Sequence, residues 1–122
     1  MMSYVKERRR FPRVGARVPL QFKDIQRTIE TYSGTLTKDI STGGVRFTSN
    51  EFLSIFTRLL VEASVPSFSR PIKAISKVAW IRKIPRSSQY DVGVQFMDMT
   101  EEDKKQLGSF ISKSPAPKTV SA

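Results

Sequence analysis

Two short runs hold the side chains best suited to chemistry. The first is Arg9-Arg10-Phe11-Pro12-Arg13, with Arg9 and Arg13 four positions apart around a stiff Phe-Pro step. Pro12 is excluded from a regular helix interior and biases Phe11 toward extended backbone, so these arginines are presented from an irregular segment. A guanidinium is a planar fork that grips phosphate oxygens or the O6/N7 edge of guanine, and it also stacks on a base. The second run is Asp39-Ile40-Ser41-Thr42-Gly43-Gly44. A carboxylate there accepts from the N1 and N2 donors of guanine, a hydroxyl reaches phosphate, and Gly44 lets backbone approach closely. The same residues also suit an ordinary turn, with Asp39 and Ser41 bonded to local backbone and the glycines supplying positive φ.

The rest of the composition narrows the chemistry. The 122 residues include 21 Lys plus Arg against 11 Asp plus Glu, a formal charge of +10, with 39% hydrophobic residues. That suits one compact domain with a real core. Cys and His are both missing from the sequence, which removes disulfides, thiol nucleophiles, the commonest zinc ligand and the commonest general base. No Asp or Glu pairs obviously with a catalytic base, so the expectation is a binding protein rather than an enzyme, without a cofactor. No apolar run nears the roughly 20 residues of a membrane helix. The cationic N-terminus has no apolar stretch behind it, so it is not read as a secretory signal and the expected location is cytoplasmic.

The excess charge is concentrated. Residues 1–23 carry a net +6, and residues 70–86 carry another +6 with no acid at all. That distribution argues for an anionic partner.

The elements that must position these groups are strands. Val18, Leu20 and Phe22 alternate with polar neighbours, as do Leu59, Val61, Ala63 and Val65, then Tyr90, Val92, Val94 and Phe96. Each is a half-buried strand pattern. The run Ile72 to Ile81 places Ile72, Ala74, Val78 and Trp80 on one face, with Lys73 and Lys77 on the other. Tyr32 to Ile40 and Val45 to Phe47 are two more strands, separated by the turn Ser41-Thr42-Gly43-Gly44. Six strands with no helical pattern between them predict an all-β antiparallel barrel or sandwich. One helix is predicted from Thr100, an N-cap followed by Glu101, Glu102 and Asp103 at the positive end of the dipole, with Leu107, Phe110 and Ile111 as its apolar stripe. Residues 1–15 read as a flexible basic arm, 16–113 as the barrel with its C-terminal helix, and 114–122 as a disordered tail.

Taken in order, the two motifs resemble the PilZ domain family. The likeness rests on Arg9 and Arg13, a first strand, and Asp39-x-Ser41-x-x-Gly44 entering Val45-Arg46-Phe47. It extends through Val78-Ala79-Trp80-Ile81 to Val92-Gly93-Val94-Gln95-Phe96 and the following Met97-Asp98-Met99-Thr100-Glu101-Glu102. The resemblance implies a six-stranded antiparallel barrel with a C-terminal helix that binds the bacterial second messenger cyclic di-GMP. It also implies that Arg9 and Arg13 wrap the guanines and phosphates while Asp39, Ser41 and Gly44 form the barrel side of the site. Arg8, Arg10, Gly43 and Arg46 are further expected contacts. The Arg9/Arg13 register is preferred over Arg13/Arg17 because Arg17 adjoins the first strand. The implied role is a receptor that relays the signal to a protein partner.

Ordering about five arm residues costs roughly 1–2 kcal/mol each. Charged hydrogen bonds return about 1.5–3 kcal/mol apiece, so several arginine contacts are needed together. The rival readings are a small basic barrel binding RNA or single-stranded DNA along the 70–86 strand, and a scaffold of the same fold that docks a protein. The first is disfavoured because period two puts the stacking candidates Trp80 and Tyr90 on core faces.

Overall fold

A computed structural model of the chain describes residues 15–27, 31–66 and 68–113. The six strands are β1 (Pro19–Asp24), β2 (Ser33–Ile40), β3 (Gly44–Ser49), β4 (Arg58–Ala63), β5 (Ile72–Lys83) and β6 (Tyr90–Asp98), followed by helix α1 (Glu101–Lys113). Every pairing is antiparallel, and the strands close into a barrel in the order β1-β2-β3-β6-β5-β4. Closure removes the free sheet edges that would otherwise invite aggregation.

Alternation sorts the side chains as the sequence predicts. Leu20, Phe22, Val45, Phe47, Leu59, Val61, Val78, Val92 and Val94 point inward and are buried. The Phe22 and Phe47 rings meet at 4.8 Å between centroids. Burying such side chains contributes about 1.5–3 kcal/mol each, which is what holds so short a chain closed.

Three one-residue bulges interrupt this alternation, one of them on β6, where Phe96 pairs with Ser76 and Asp98 with Ile75, leaving Met97 over. On β2, Thr37 pairs with Phe47 and Asp39 with Arg46, leaving Lys38 as the extra residue. On β5, Val78 pairs with Val94 and Trp80 with Gly93, leaving Ala79 over. Each bulge reverses the inward and outward parity of the residues after it. Trp80 therefore stands on the outer face beside Gly93, not on the core face that period two assigned to it. Tyr90 does keep its place, half-buried against the core.

Thr100 caps α1, its hydroxyl accepting from the Asp103 N–H at 3.1 Å. Leu107 is buried, while Phe110 and Ile111 are half-buried against the barrel. The Asp103 carboxylate turns toward β5, accepting from the Lys73 N–H at 3.1 Å and lying 3.1 Å from the Arg70 guanidinium. The helix is thus tied to the start of β5 by charge as well as by Leu107. Among the described residues, no helix is long and apolar enough to cross a membrane. The predicted arm, apart from Gly15, and the predicted tail lie outside the described residues.

Candidate functional site

The turn between β2 and β3 is built around Ser41. Its buried hydroxyl accepts from the N–H groups of Gly43 and Gly44, at 3.1 and 3.2 Å, and its own N–H donates to the Gly44 carbonyl at 2.9 Å. The Gly43 carbonyl accepts from the Phe96 N–H at 2.9 Å, which pins the turn onto β6. No glycine among the described residues has positive φ, so the expectation that the turn glycines supply it is corrected. Gly44 is required for a different reason: a Cβ there would be driven into the carbonyl oxygen of Val94. Backbone on both sides cannot give way, so only hydrogen fits.

Asp39 and Arg46 face outward as register partners, and the Arg46 Nε donates to the Asp39 carboxylate at 3.0 Å. Arg46 also pairs with Gly93, and Gly93 with Trp80. Asp39, Arg46, Gly93 and Trp80 thus form one strip across four strands. A Cβ at position 93 would collide with the Trp80 indole, so the missing side chain makes room for the ring. Ser41, Gly43, Gly44, Arg46, Trp80 and Gly93 line a shallow open concavity of about 290 Å³ beside the turn.

A second cluster borders the strip. Asp91 is buried between Lys38, whose ammonium donates at 2.6 Å, and Arg82, whose guanidinium donates at 3.1 Å. Burial by itself would push the Asp91 carboxyl up. The hydrogen bonds from Lys38 and Arg82, with the charges of Lys38 and Arg46, outweigh it and hold the carboxyl below the usual carboxylate range. Asp91 therefore stays ionised and keeps two cations fixed at the edge of the strip.

The chain also enters the barrel here. The Val18 N–H donates to the Thr37 hydroxyl at 2.9 Å, the Thr37 N–H donates to the Val18 carbonyl at 3.0 Å, and the Thr37 hydroxyl donates to the Ala16 carbonyl. Residues 16–18 are thereby stitched to β2 two positions before Asp39.

Of the predicted site residues, Asp39, Ser41, Gly43, Gly44 and Arg46 come together around this one turn. Arg17 is exposed just before β1. Arg8, Arg9, Arg10 and Arg13 lie outside the described residues. Sequence reasoning weighed Trp80 only as a stacking candidate on a core face, and gave Gly93, Lys38 and Arg82 no place beside the turn. The bulges hide the face of Trp80, and Asp91 gives no sign in sequence that it will gather cations from β2 and β5. A larger concavity of about 610 Å³ opens at one barrel end, lined in part by Phe22, Arg27, Glu51 and Leu53, and shares no residue with this strip.

The family described as PilZ domain matches residues 7–113. No curated protein is a significant match to the chain. Among solved structures, the inhibitor of motility MotI/DgrA of Bacillus subtilis superposes with a TM-score of 0.73 at 22% identity, covering 87% of this chain and 50% of that one. YcgR of Escherichia coli in complex with c-di-GMP gives 0.68 at 18% identity, covering 86% and 45%. The MrkH–c-di-GMP complex of K. pneumonia gives 0.66 at 19%, covering 86% and 51%. The chain spans about half the length of these three proteins, and at such identities the likeness is one of fold.

Proposed function

The chain belongs to the PilZ domain family, and from that premise we propose that it is a receptor for cyclic di-GMP, a binding protein rather than an enzyme. The observation that carries this reading is the strip Asp39–Arg46–Gly93–Trp80 laid against the Ser41 turn. It sets a carboxylate, a guanidinium and an indole on one outward surface, the complement of a purine with an adjoining phosphate. Trp80 offers a stacking face, and an aromatic ring stacked on a base is worth about 1–3 kcal/mol. Asp39, held in position by Arg46, is placed to accept from guanine N–H donors. Ser41 supports the site by shaping the turn through its two accepted N–H bonds.

Arg9 and Arg13 supply the grip on the phosphates. The stitching of Ala16 to Thr37 makes this feasible on covalent geometry alone. Arg13 precedes Ala16 by three positions, and a chain spans at most about 3.3–3.6 Å per residue, so Arg13 starts within about 10 Å of that anchor. Arg8 and Arg10 are further candidate contacts, and a protein partner would receive the signal. Solved neighbours about twice as long, MotI/DgrA and YcgR, are consistent with a domain that works beside other parts.

Calorimetric titration with cyclic di-GMP tests the reading. Binding is expected for the wild type and lost in Arg9→Ala and Arg13→Ala, with melting temperatures barely changed. Absence of heat at high micromolar ligand in folded protein would overturn it. An oligonucleotide that binds with steep salt dependence, undisturbed by Asp39→Ala with Ser41→Ala, would favour the nucleic-acid rival instead.

A further inference from the structure

The acid-free segment 70–86 and the loop 50–57 play no part in the site above, apart from Trp80 and Arg82, and they meet at one end of the barrel. The β1–β2, β3–β4 and β5–β6 connections share that end, while the Ser41 turn belongs to the other. Loop 50–57 is braced on the β5–β6 hairpin: the Phe52 ring meets Tyr90 edge-on at 5.8 Å, and the Gln89 amide donates to Asn50 at 2.8 Å. Leu53 is buried as its anchor. Phe52, Ile55 and Phe56, by contrast, are 59%, 50% and 66% exposed.

The backbone at this end is unusual as well. Phe56 has φ 72° and Arg86 has φ 61°, the two non-glycine residues with positive φ among those described, and both lie at this end. Glycine is the low-strain residue for that conformation. The sequence instead places an exposed ring at one position and an exposed guanidinium at the other, and neither is buried in return. Local strain of this kind clusters at ligand-binding and other functional sites.

The charges around the rings have the same direction. Arg58, Lys77, Lys83 and Arg86 stand at this end with no carboxylate within ion-pair distance among the described residues. The Lys77 ammonium lies 5.5 Å from the centre of the Phe56 ring. Among the described residues of this end, Asp24 and Glu51 are faced by Arg27 at 3.8 and 3.9 Å, and Asp91 at the start of β6 is already held by Lys38 and Arg82.

We propose that this barrel end is a peripheral docking surface for an anionic phospholipid bilayer. Phe52, Ile55 and Phe56 enter the boundary between headgroups and acyl chains, while Arg58, Lys77, Lys83 and Arg86 meet lipid phosphates. Interfacial binding combines buried apolar area with attraction of basic side chains to anionic headgroups, and both are present here. The three side chains project from a loop rather than lining a groove, which suits a fluid partner better than the fixed relief of a protein.

Flotation of the whole chain with vesicles of phosphatidylglycerol and phosphatidylcholine tests this, against vesicles of phosphatidylcholine alone. Association with the anionic vesicles only, weakening as salt rises, is expected. Phe56→Gly combined with Phe52→Ser should weaken it about tenfold or more through lost apolar insertion. Phe56→Gly and Arg86→Gly, made singly, should each weaken it without lowering the melting temperature, because glycine relaxes both positions. No association at low salt would overturn the proposal, as would equal binding to neutral vesicles. Unchanged binding of the folded variants would also overturn it, by assigning the attraction to charge elsewhere in the chain.

Discussion

Asp39 and Trp80 reach the same outward strip by the same device, a single extra residue immediately before each of them. Lys38 is the surplus on β2 and Ala79 on β5. Without those bulges, the registers that set Asp39 opposite Arg46 and Trp80 opposite Gly93 would each slip by one. Both displacements converge on the surface shared with Arg46 and Gly93. The barrel thus uses two irregularities to assemble four side-chain positions that no uninterrupted ladder would bring together.

The room left at Gly93 is the first thing to perturb. Gly93→Ala places a methyl group where the Trp80 indole now lies. The ring must tilt away, so affinity for cyclic di-GMP should fall about tenfold, in line with about 1–3 kcal/mol for a stacked base. Calorimetry on the variant checks this, and emission from Trp80, the single tryptophan, should shift even without ligand.

Gly44→Ala should act on the fold instead. Its methyl group meets the Val94 carbonyl, which belongs to the barrel wall and cannot swing aside. A loss of about 1–3 kcal/mol in denaturant-melt stability is expected, within the range for overpacked sites.

Ser41→Ala strips the acceptor from two N–H groups at a buried position. Leaving a buried donor unmet costs about 1–3 kcal/mol. Stability should drop by that order while Thr42→Ala, an exposed position on the same turn, leaves it unchanged. Equal behaviour of the two variants in thermal melts would show that Ser41 does not organise the turn.

Asp91 gives the account its pH dependence. Its folded-state pKa lies below the ordinary value of 3.8, so its contribution is fully present above that value and is lost as pH falls through the folded pKa. Asp91→Asn should therefore be less stable than wild type near neutrality, with the gap closing only in the acid range below the ordinary carboxylate pKa. Lys38 and Arg82 are partly exposed, so the gap should be modest and should narrow with added salt. A gap that persists undiminished through acid would contradict the assignment.

Most of the barrel is legible in the sequence because burial in a closed sheet forces period two, and Leu20-x-Phe22, Leu59-x-Val61 and Val92-x-Val94 display it openly. Thr100 likewise announces α1, and its hydroxyl caps the helix as read. The hidden features depend on non-local geometry. A bulge adds one residue without leaving a mark in composition, so period two assigns Trp80 to the wrong face. Turn chemistry offers a local reason for Gly44, whereas its true constraint is the Val94 carbonyl fifty residues away in sequence. Asp91 reads as one more polar residue until Lys38 and Arg82 arrive from other strands. Phe56 carries no sign of its left-handed backbone.

Emission from Trp80 during a titration with cyclic di-GMP tests the central claim most directly, because the ring sits on the proposed ligand surface and no other indole contributes. Saturable quenching is predicted, with the same midpoint as the calorimetric isotherm and abolished together with it in Asp39→Ala. Binding registered by heat while Trp80 emission stays constant would place the ligand elsewhere and contradict the site.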